Sequence, residues 1–321
     1  MTKIYYNYLP IGEAAKYLGK SVHTLQRWDR EGKLVAQRTK SDRRIYSRKQ
    51  LDKFIRQNYR KNSLQIFTKS LNKKEIATSP EFSRLLKRAK TVLKRPTNAN
   101  LLLIGKDGVG KMSFVRYLQN NDPDRIYLNV EAGLLIDQAE NGMDLLIFLR
   151  DLMLDAEKMS EKKDKGVVLV IDEFHQILLE LLLSLKFEAS LLTQLFKSFT
   201  NQRVHVIATI TPSEYKAFFK RLIRLDPDMD KIFERIEIEE PEKQITVQIL
   251  HDLAQKHQVL SAIENPNEFF GKIYDMTKCT SRVAQPRASI FVFDQMIGWH
   301  RAYKESFDEE HLVKICKATI H

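Results

Sequence analysis

Residues 101–111, Leu101-Leu102-Leu103-Ile104-Gly105-Lys106-Asp107-Gly108-Val109-Gly110-Lys111, constrain this chain more than any other stretch. Four successive large apolar residues with no alternation need burial on both faces, as in an interior parallel strand. Glycines at 105, 108 and 110 then end the strand at once and let backbone N–H groups turn toward a single point. Lys111 opens the next helix, adding a mobile ammonium to the helix's N-terminal dipole. A strand, a glycine-rich turn and a helix in that order make an anion cradle. The spacing is that of the phosphate-binding loop G-x-x-x-x-G-K-[ST], with Met112 in the final position. The hydroxyl that would join a Mg²⁺ shell is therefore missing. Ser113 is adjacent, but it lies roughly 100° around the helix and is a poor substitute.

A second apolar run, Val167-Val168-Leu169-Val170-Ile171, ends in Asp172-Glu173. An acid pair at the carboxyl edge of a buried strand suits a nucleotide site: Asp172 would hold Mg²⁺ and Glu173 would orient an attacking water. Arg125–Val130 and Val204–Thr209 read as further strands. Strands alternating with helices predict a doubly wound, parallel α/β sheet. The expected nucleotide contacts are Gly105, Lys106, Asp107, Gly108, Val109, Gly110, Lys111 and Met112, with ATP and Mg²⁺ as cofactors.

The net charge of +12 is unevenly spread. Residues 1–100 carry 25 Lys and Arg against 7 Asp and Glu, whereas the rest of the chain carries 28 against 34. A basic third joined to a mildly acidic remainder points the N-terminal part at a polyanion. Within it, Tyr8–Gly19 reads as a short helix stopped by Gly19. Ser21 caps a second helix over Val22–Arg30, which Gly32 ends. Two short helices across a glycine-containing turn can place the second in a major groove. His23, Thr24, Gln26 and Arg27 then lie outward, able to reach phosphates or base edges. Leu34–Tyr46 fits a two-stranded wing with a basic tip, and Ser47 caps a helix carrying Leu51, Phe54 and Ile55.

The text "IGEAAKYLGKSVHTLQRWDREGKL" followed by "RRIYSRKQLDKF" resembles the winged helix-turn-helix of the MerR and excisionase-like group, over about 48 residues. The resemblance implies double-stranded DNA as partner, with Thr24, Arg27, Arg43, Arg44 and Tyr46 at the DNA. Gln26 stands where that group often has arginine, so base preference does not carry over. From residue 80 the chain resembles the first ATPase module of Clp-type AAA+ unfoldases. "NANLLLIGKDGVGKMSFVRYL" is similar to its nucleotide loop, "VVLVIDEFHQI" to its acid pair and "VIATITPSEYKAFF" to its sensor strand. "FERIEIEEPEKQITVQIL" is similar to the start of its helical lid. "TSRVAQPRASIFVFDQ" is similar to a lid helix that carries a basic residue, here Arg287, toward the nucleotide.

Several working parts depart from that pattern. Met112 replaces the metal-binding hydroxyl, and Lys231-Ile232-Phe233 stands where paired arginine fingers precede a phenylalanine. The sensor position falls on Ile210, between Thr209 and Thr211, and Gln138–Gly142 lacks the aromatic of a polypeptide-gripping loop. Loss of an arginine finger alone slows NTPases by ~10³–10⁵, so ATP binding is expected to outlast efficient hydrolysis.

The expected architecture is multidomain. A small winged helix-turn-helix (1–60) and a basic linker (61–79) precede an α/β P-loop AAA+ core (80–240) and an α-helical lid with a C-terminal helix (241–321). The expected function is a DNA-binding protein whose AAA+ domain is a nucleotide-dependent switch or assembly module, self-associating through that domain, in transcription regulation or mobile-element handling. A DNA-associated ATPase of transposition-helper type and a nucleotide-independent scaffold stay open as alternatives. Two cysteines cannot build a disulfide framework. The start of the chain shows no secretion-signal pattern. The longest apolar stretch, Ile177–Leu185, contains Glu180 and is far short of the ~20 residues of a membrane span. A cytoplasmic setting with no membrane partner is the expectation.

Overall fold

A computed structural model describes residues 8–18, 20–39, 41–48, 50–51, 54, 63–71, 80–95, 99–184, 203–280, 283–304 and 306–319. The N-terminal head opens with strand β1 (Tyr8–Pro10), where the sequence suggests helix, and its first helix runs only over Ile11–Tyr17. The second helix is Val22–Arg30, with the Ser21 hydroxyl accepting from the Thr24 N–H. Strands β2 (Gln37–Arg38) and β3 (Arg44–Ser47) form the wing, and β1 joins them antiparallel in the order β1-β3-β2. Leu9, Ala14, Leu25, Trp28, Tyr46, Leu51 and Phe54 fill the space between helices and wing. Ile55 and the basic wing-tip residue Lys40 lie outside the described residues.

The head is locked by one carboxylate. Asp29, on the second helix, accepts from the Ala36 N–H (2.8 Å), Arg44 Nε (2.7 Å) and an Arg38 guanidinium nitrogen (3.1 Å). Burial pushes the Asp29 carboxyl up, but these donors outweigh it and hold the group below its usual range. The head also touches the body. Ile147 and Met143 pack into the head's cluster, and Lys20 Nζ lies 2.5 Å from Glu140.

The body is a six-stranded sheet in the order β4-β6-β7-β8-β5-β9. Its members are β4 (Thr68–Ser70), β5 (Asn100–Ile104), β6 (Arg125–Val130), β7 (Gly166–Ile171), β8 (Val204–Ile210) and β9 (Phe233–Glu237). All neighbours pair in parallel except β4, which runs antiparallel to β6. Residues 63–71 fall in the expected linker yet form the helix Ser63–Phe67 and edge strand β4, with Leu64, Phe67 and Leu71 buried. These residues hold one lysine and four large apolar side chains, and the basic residues on either side drew them into the linker.

Period-two alternation divides the central strands between two cores. Leu102, Ile104, Leu169, Ile171, Val206 and Ala208 face one core, and Leu101, Leu103, Val168, Val170 and Ile207 the other. The helices Pro80–Leu93 and Lys111–Asn120 cover the second face, and Gly142–Lys163 and His175–Ser184 cover the first. The lid follows as Lys243–Lys256, Pro266–Thr280, Arg287–Tyr303 and Glu309–Thr319 around its own core of Leu250, Phe270, Ile273, Phe293 and Leu312. Among the described residues no helix is long and apolar enough to cross a membrane.

His205, on β8, is buried, its Nδ1 has no hydrogen-bond partner among the described residues, and burial pushes its pKa down from 6.5 to about 4. The folded chain keeps the ring neutral while the unfolded chain protonates it. Its contribution is thus present above pH 6.5 and lost as the pH falls from 6.5 toward 4, about 3 kcal/mol in all. Urea unfolding at pH 7 and pH 4 should show His205→Leu losing less stability to acid than the native chain by about that amount. Equal acid losses would overturn this assignment.

Candidate functional site

The carboxyl ends of β5, β7 and β8 open into a cavity of about 700 Å³ whose walls include Asp107, Lys111, Met112, Arg116, Asp172, Glu173, Thr209, Glu214 and Arg287. Gly105 leaves β5, and Gly108 (φ 87°) and Gly110 (φ 102°) take left-handed backbone that other residues rarely adopt. Gly110 is the N-cap of the ten-residue helix Lys111–Asn120, so that helix's amino end faces the cavity. Lys111 folds back on the loop, its Nζ donating to the carbonyls of Gly105 (2.7 Å) and Lys106 (3.0 Å). Burial pushes this ammonium below the ordinary lysine range, and the Asp107, Asp172 and Glu214 carboxylates offset only part of that. Val109 is buried, and Lys106 points away to Glu240 (2.7 Å), so these two serve the loop through backbone.

The lid seals one side. Ala284 N–H donates to the Asp107 carbonyl (3.1 Å) and Arg287 N–H to the Gly108 carbonyl (3.4 Å). Arg287 also grips the Asp107 carboxylate with both contacts at 2.9 Å. A buried ring of bonds fixes the segment just ahead of Arg287. Gln285 donates to Thr277 (2.8 Å), Ser289 donates to Gln285 (2.7 Å), and the Thr277 and Ser289 hydroxyls meet at 2.9 Å.

The acid pair is tied down by a residue the sequence only neighbours. The Thr209 hydroxyl donates to Asp172 Oδ1 (2.5 Å) and accepts from the Glu173 N–H (3.0 Å). Ile210, on which the sensor position falls, is buried in the opposite core, because alternation along β8 turns 209 and 210 to opposite faces. Glu173 holds φ 50°, an uncommon conformation outside glycine, and its carboxylate accepts from Gln176 Nε2 (2.5 Å). Beside it, His175 Nδ1 lies 3.2 Å from Glu214, whose carboxylate also accepts from the Thr211 N–H (2.9 Å).

The residues fit a nucleotide's phosphates: the cradle, the helix amino end, Lys111 and Arg287 converge on one cavity. They do not fit Mg²⁺ as the loop pattern implies. The Met112 side chain packs against the apolar cluster around Phe114 and offers no oxygen, and of the Asp172 carboxylate one oxygen, Oδ1, is bonded to Thr209 and the Glu173 N–H. The arginine-finger comparison also needs correction. Ile232 is buried in the core, whereas Lys231 is exposed and holds Asp228 at 3.0 Å. An arginine at 232 would bury a charge without a partner, so only 231 has the exposure of a finger.

At the head, His23, Arg27 and Arg43 are exposed, and Gln26 is half-buried. The Thr24 hydroxyl lies 2.9 Å from the capping Ser21 hydroxyl. Arg44 is half-buried against Asp29. Tyr46 is corrected outright. It is wholly buried, because alternation along β3 turns it inward, and its hydroxyl has no partner among the described residues. Arg116, which the sequence did not single out, lines the cavity. Its only sequence signal is that it lies four residues, one helical turn, after Met112.

Residues 10–46 match the MerR family regulatory protein profile. The body is similar to curated chaperones: 24% identical over 190 residues to "Chaperone protein ClpB" of Vibrio vulnificus (strain YJ016), covering 56% of this chain and 21% of the relative. It is 28% identical over 193 residues to "Chaperone protein ClpB 2" of Parasynechococcus marenigrum (strain WH8102), covering 57% of this chain and 20% of the relative. The chain therefore spans about a fifth of the length of these curated relatives. Among solved structures it is similar to "Closed State CryoEM Reconstruction of Hsp104:ATPyS and FITC casein", with TM-score 0.61 and 17% identity, covering 80% of this chain and 46% of that one. It is also similar to "S. cerevisiae Hsp104:casein complex, Extended Conformation", with TM-score 0.52 and 18% identity, covering 72% and 39%.

The loop–lid contact yields a graded prediction. A Cβ at Gly108 would sit 2.6 Å from Arg287 Cβ and 3.0 Å from the Ala284 carbonyl, whereas at Gly110 the nearest atom is 3.9 Å away. Both glycines have positive φ, so each alanine carries roughly 1–2 kcal/mol of backbone strain, and only Gly108→Ala adds the clash. Thermal melts should therefore drop further for Gly108→Ala than for Gly110→Ala. Equal drops would mean that the lid does not rest on the loop.

Proposed function

We propose that this chain, a MerR-type helix-turn-helix joined to a ClpB/Hsp104-type AAA+ module, is a cytoplasmic DNA-binding protein that binds ATP and acts as a nucleotide-dependent switch or assembly module. Transcription regulation and mobile-element handling both suit that combination. One observation carries the reading. The phosphate cradle and Lys111 are intact, while the loop's metal hydroxyl has become a packed thioether at Met112 and the exposed finger position holds Lys231 instead of an arginine. Binding draws on the first set of groups and fast phosphoryl transfer on the second. The Hsp104 structure that shares this fold was solved with ATPyS, which supports a nucleotide as ligand.

A DNA-associated ATPase is the second reading, favoured by the ordered acid pair that Thr209 holds. A polypeptide-threading role draws less support, since the turn at Gln138–Gly142 carries no aromatic, and its Glu140 reaches the head instead.

Calorimetry and turnover assays test these readings together. Lys111→Ala should weaken ATP binding at least several-fold, because it removes the one ammonium aimed into the loop. Turnover should stay far below ~1 s⁻¹, with or without duplex DNA. Turnover at that rate would put the ATPase reading first, and absence of ATP binding by the native chain would favour a scaffold.

DNA binding should divide the basic residues by exposure. Arg43→Ala should weaken binding to all sequences and lower the salt slope by about one unit, whereas Tyr46→Phe should leave it unchanged. A salt slope untouched by Arg43→Ala would remove the wing from the DNA interface.

A further inference from the structure

Arg116 stands on the helix Lys111–Asn120 one turn beyond Met112, and residues four apart share a helix face. Side chains on a helix lean toward its amino end, so a long side chain at 116 covers the turn that Met112 opens. The structure agrees: Arg116 lines the cavity with Met112, Ser113 and Asp172.

The cavity's other cations are engaged. Lys111 is bonded to two loop carbonyls, and Arg287 grips Asp107. Arg116 makes no hydrogen bond or ion pair among the described residues, and its Nε is buried with nothing to accept from it. A buried guanidinium N–H without an acceptor is costly unless a ligand supplies one. A guanidinium also matches phosphate oxygens in a planar, two-pronged fashion that an ammonium cannot. So the helix that lost its metal-binding hydroxyl at 112 carries an unpaired cation one turn later, in the same cavity.

We propose that this cavity takes a nucleoside triphosphate free of divalent metal, with the Arg116 guanidinium supplying the positive charge that Mg²⁺ supplies in an ordinary phosphate loop. The inference rests on the nucleotide-binding reading above. It makes Arg116 a ligand-binding residue and sets the preferred ligand as uncomplexed triphosphate. Lys111 and Arg287 complete the cationic set, Arg287 by exchanging the Asp107 carboxylate for a phosphate.

Calorimetric titration of the full chain with ATPγS, once in Mg²⁺ and once in excess EDTA, tests this. The native chain should bind in EDTA within about threefold of its affinity in Mg²⁺. Arg116→Gln should lose about tenfold or more in EDTA, and Arg116→Lys should recover much of that loss by restoring a charge. Native binding that requires Mg²⁺ overturns the proposal while leaving the nucleotide reading intact. So does Arg116→Gln binding as tightly as the native chain in EDTA. Should Arg116→Gln fail to fold, the Mg²⁺/EDTA comparison on the native chain still decides. No ATPγS binding by the native chain in either buffer overturns the nucleotide reading, and this proposal with it.

Discussion

Ile171 of β7 pairs with Ala208 of β8, and Ile104 of β5 pairs with Ile210, so three parallel strands end on one edge of the sheet in a fixed stagger. That stagger sets Asp172 level with Thr209 and lets Gly105 turn away beside them. Parallel pairing has no freedom to slip here, because a one-residue shift would exchange every side chain between two filled cores. The cavity's geometry is therefore inherited from packing: Leu101, Leu103, Val168, Val170 and Ile207 hold one face, and their alternates hold the other. The loop, the acid pair and the Thr209 hydroxyl come together because the strands beneath them cannot move independently.

Much of this was legible in the sequence, since it rests on local pattern. Unbroken apolar runs at 101–104 and 167–171 announce strands buried on both sides, and glycines at fixed spacing announce the loop. What was hidden depends on which way a side chain turns in three dimensions. Tyr46 reads as a polar-tipped residue beside two arginines, yet strand alternation buries it. Thr209 and Ile210 are adjacent in the chain, and only the face of β8 decides that the threonine meets the acid pair. Residues 63–71 are too short a run to declare themselves, since their edge strand depends on a partner, β6, some sixty residues away. Arg116 belongs to no motif, and its significance comes from sharing a helix face with Met112.

The changes at the site are of different physical kinds. The cradle works through backbone N–H groups and a helix end, which tolerate side-chain substitution. The parts that differ act through side chains: an oxygen at 112, where a thioether packs against apolar neighbours, and a guanidinium at 231, where a lysine stands. A hydroxyl at 112 would give up part of the half-buried thioether's apolar contact, whereas an arginine at the exposed 231 would displace no core packing.

Asp29 carries a further consequence for the head. It draws in Arg38 and Arg44, which offsets one of the two charges, while Arg38 stays exposed and also lies near Asp42. A polyanion that comes within the ~10 Å Debye length of ordinary buffer would respond to the head's net charge, in which Asp29 and Asp42 offset Arg38 and Arg44. At contact it would meet exposed cations such as Arg27 and Arg43. Approach and contact would then draw on different groups: the summed charge of the head for the first, its exposed guanidinium groups for the second.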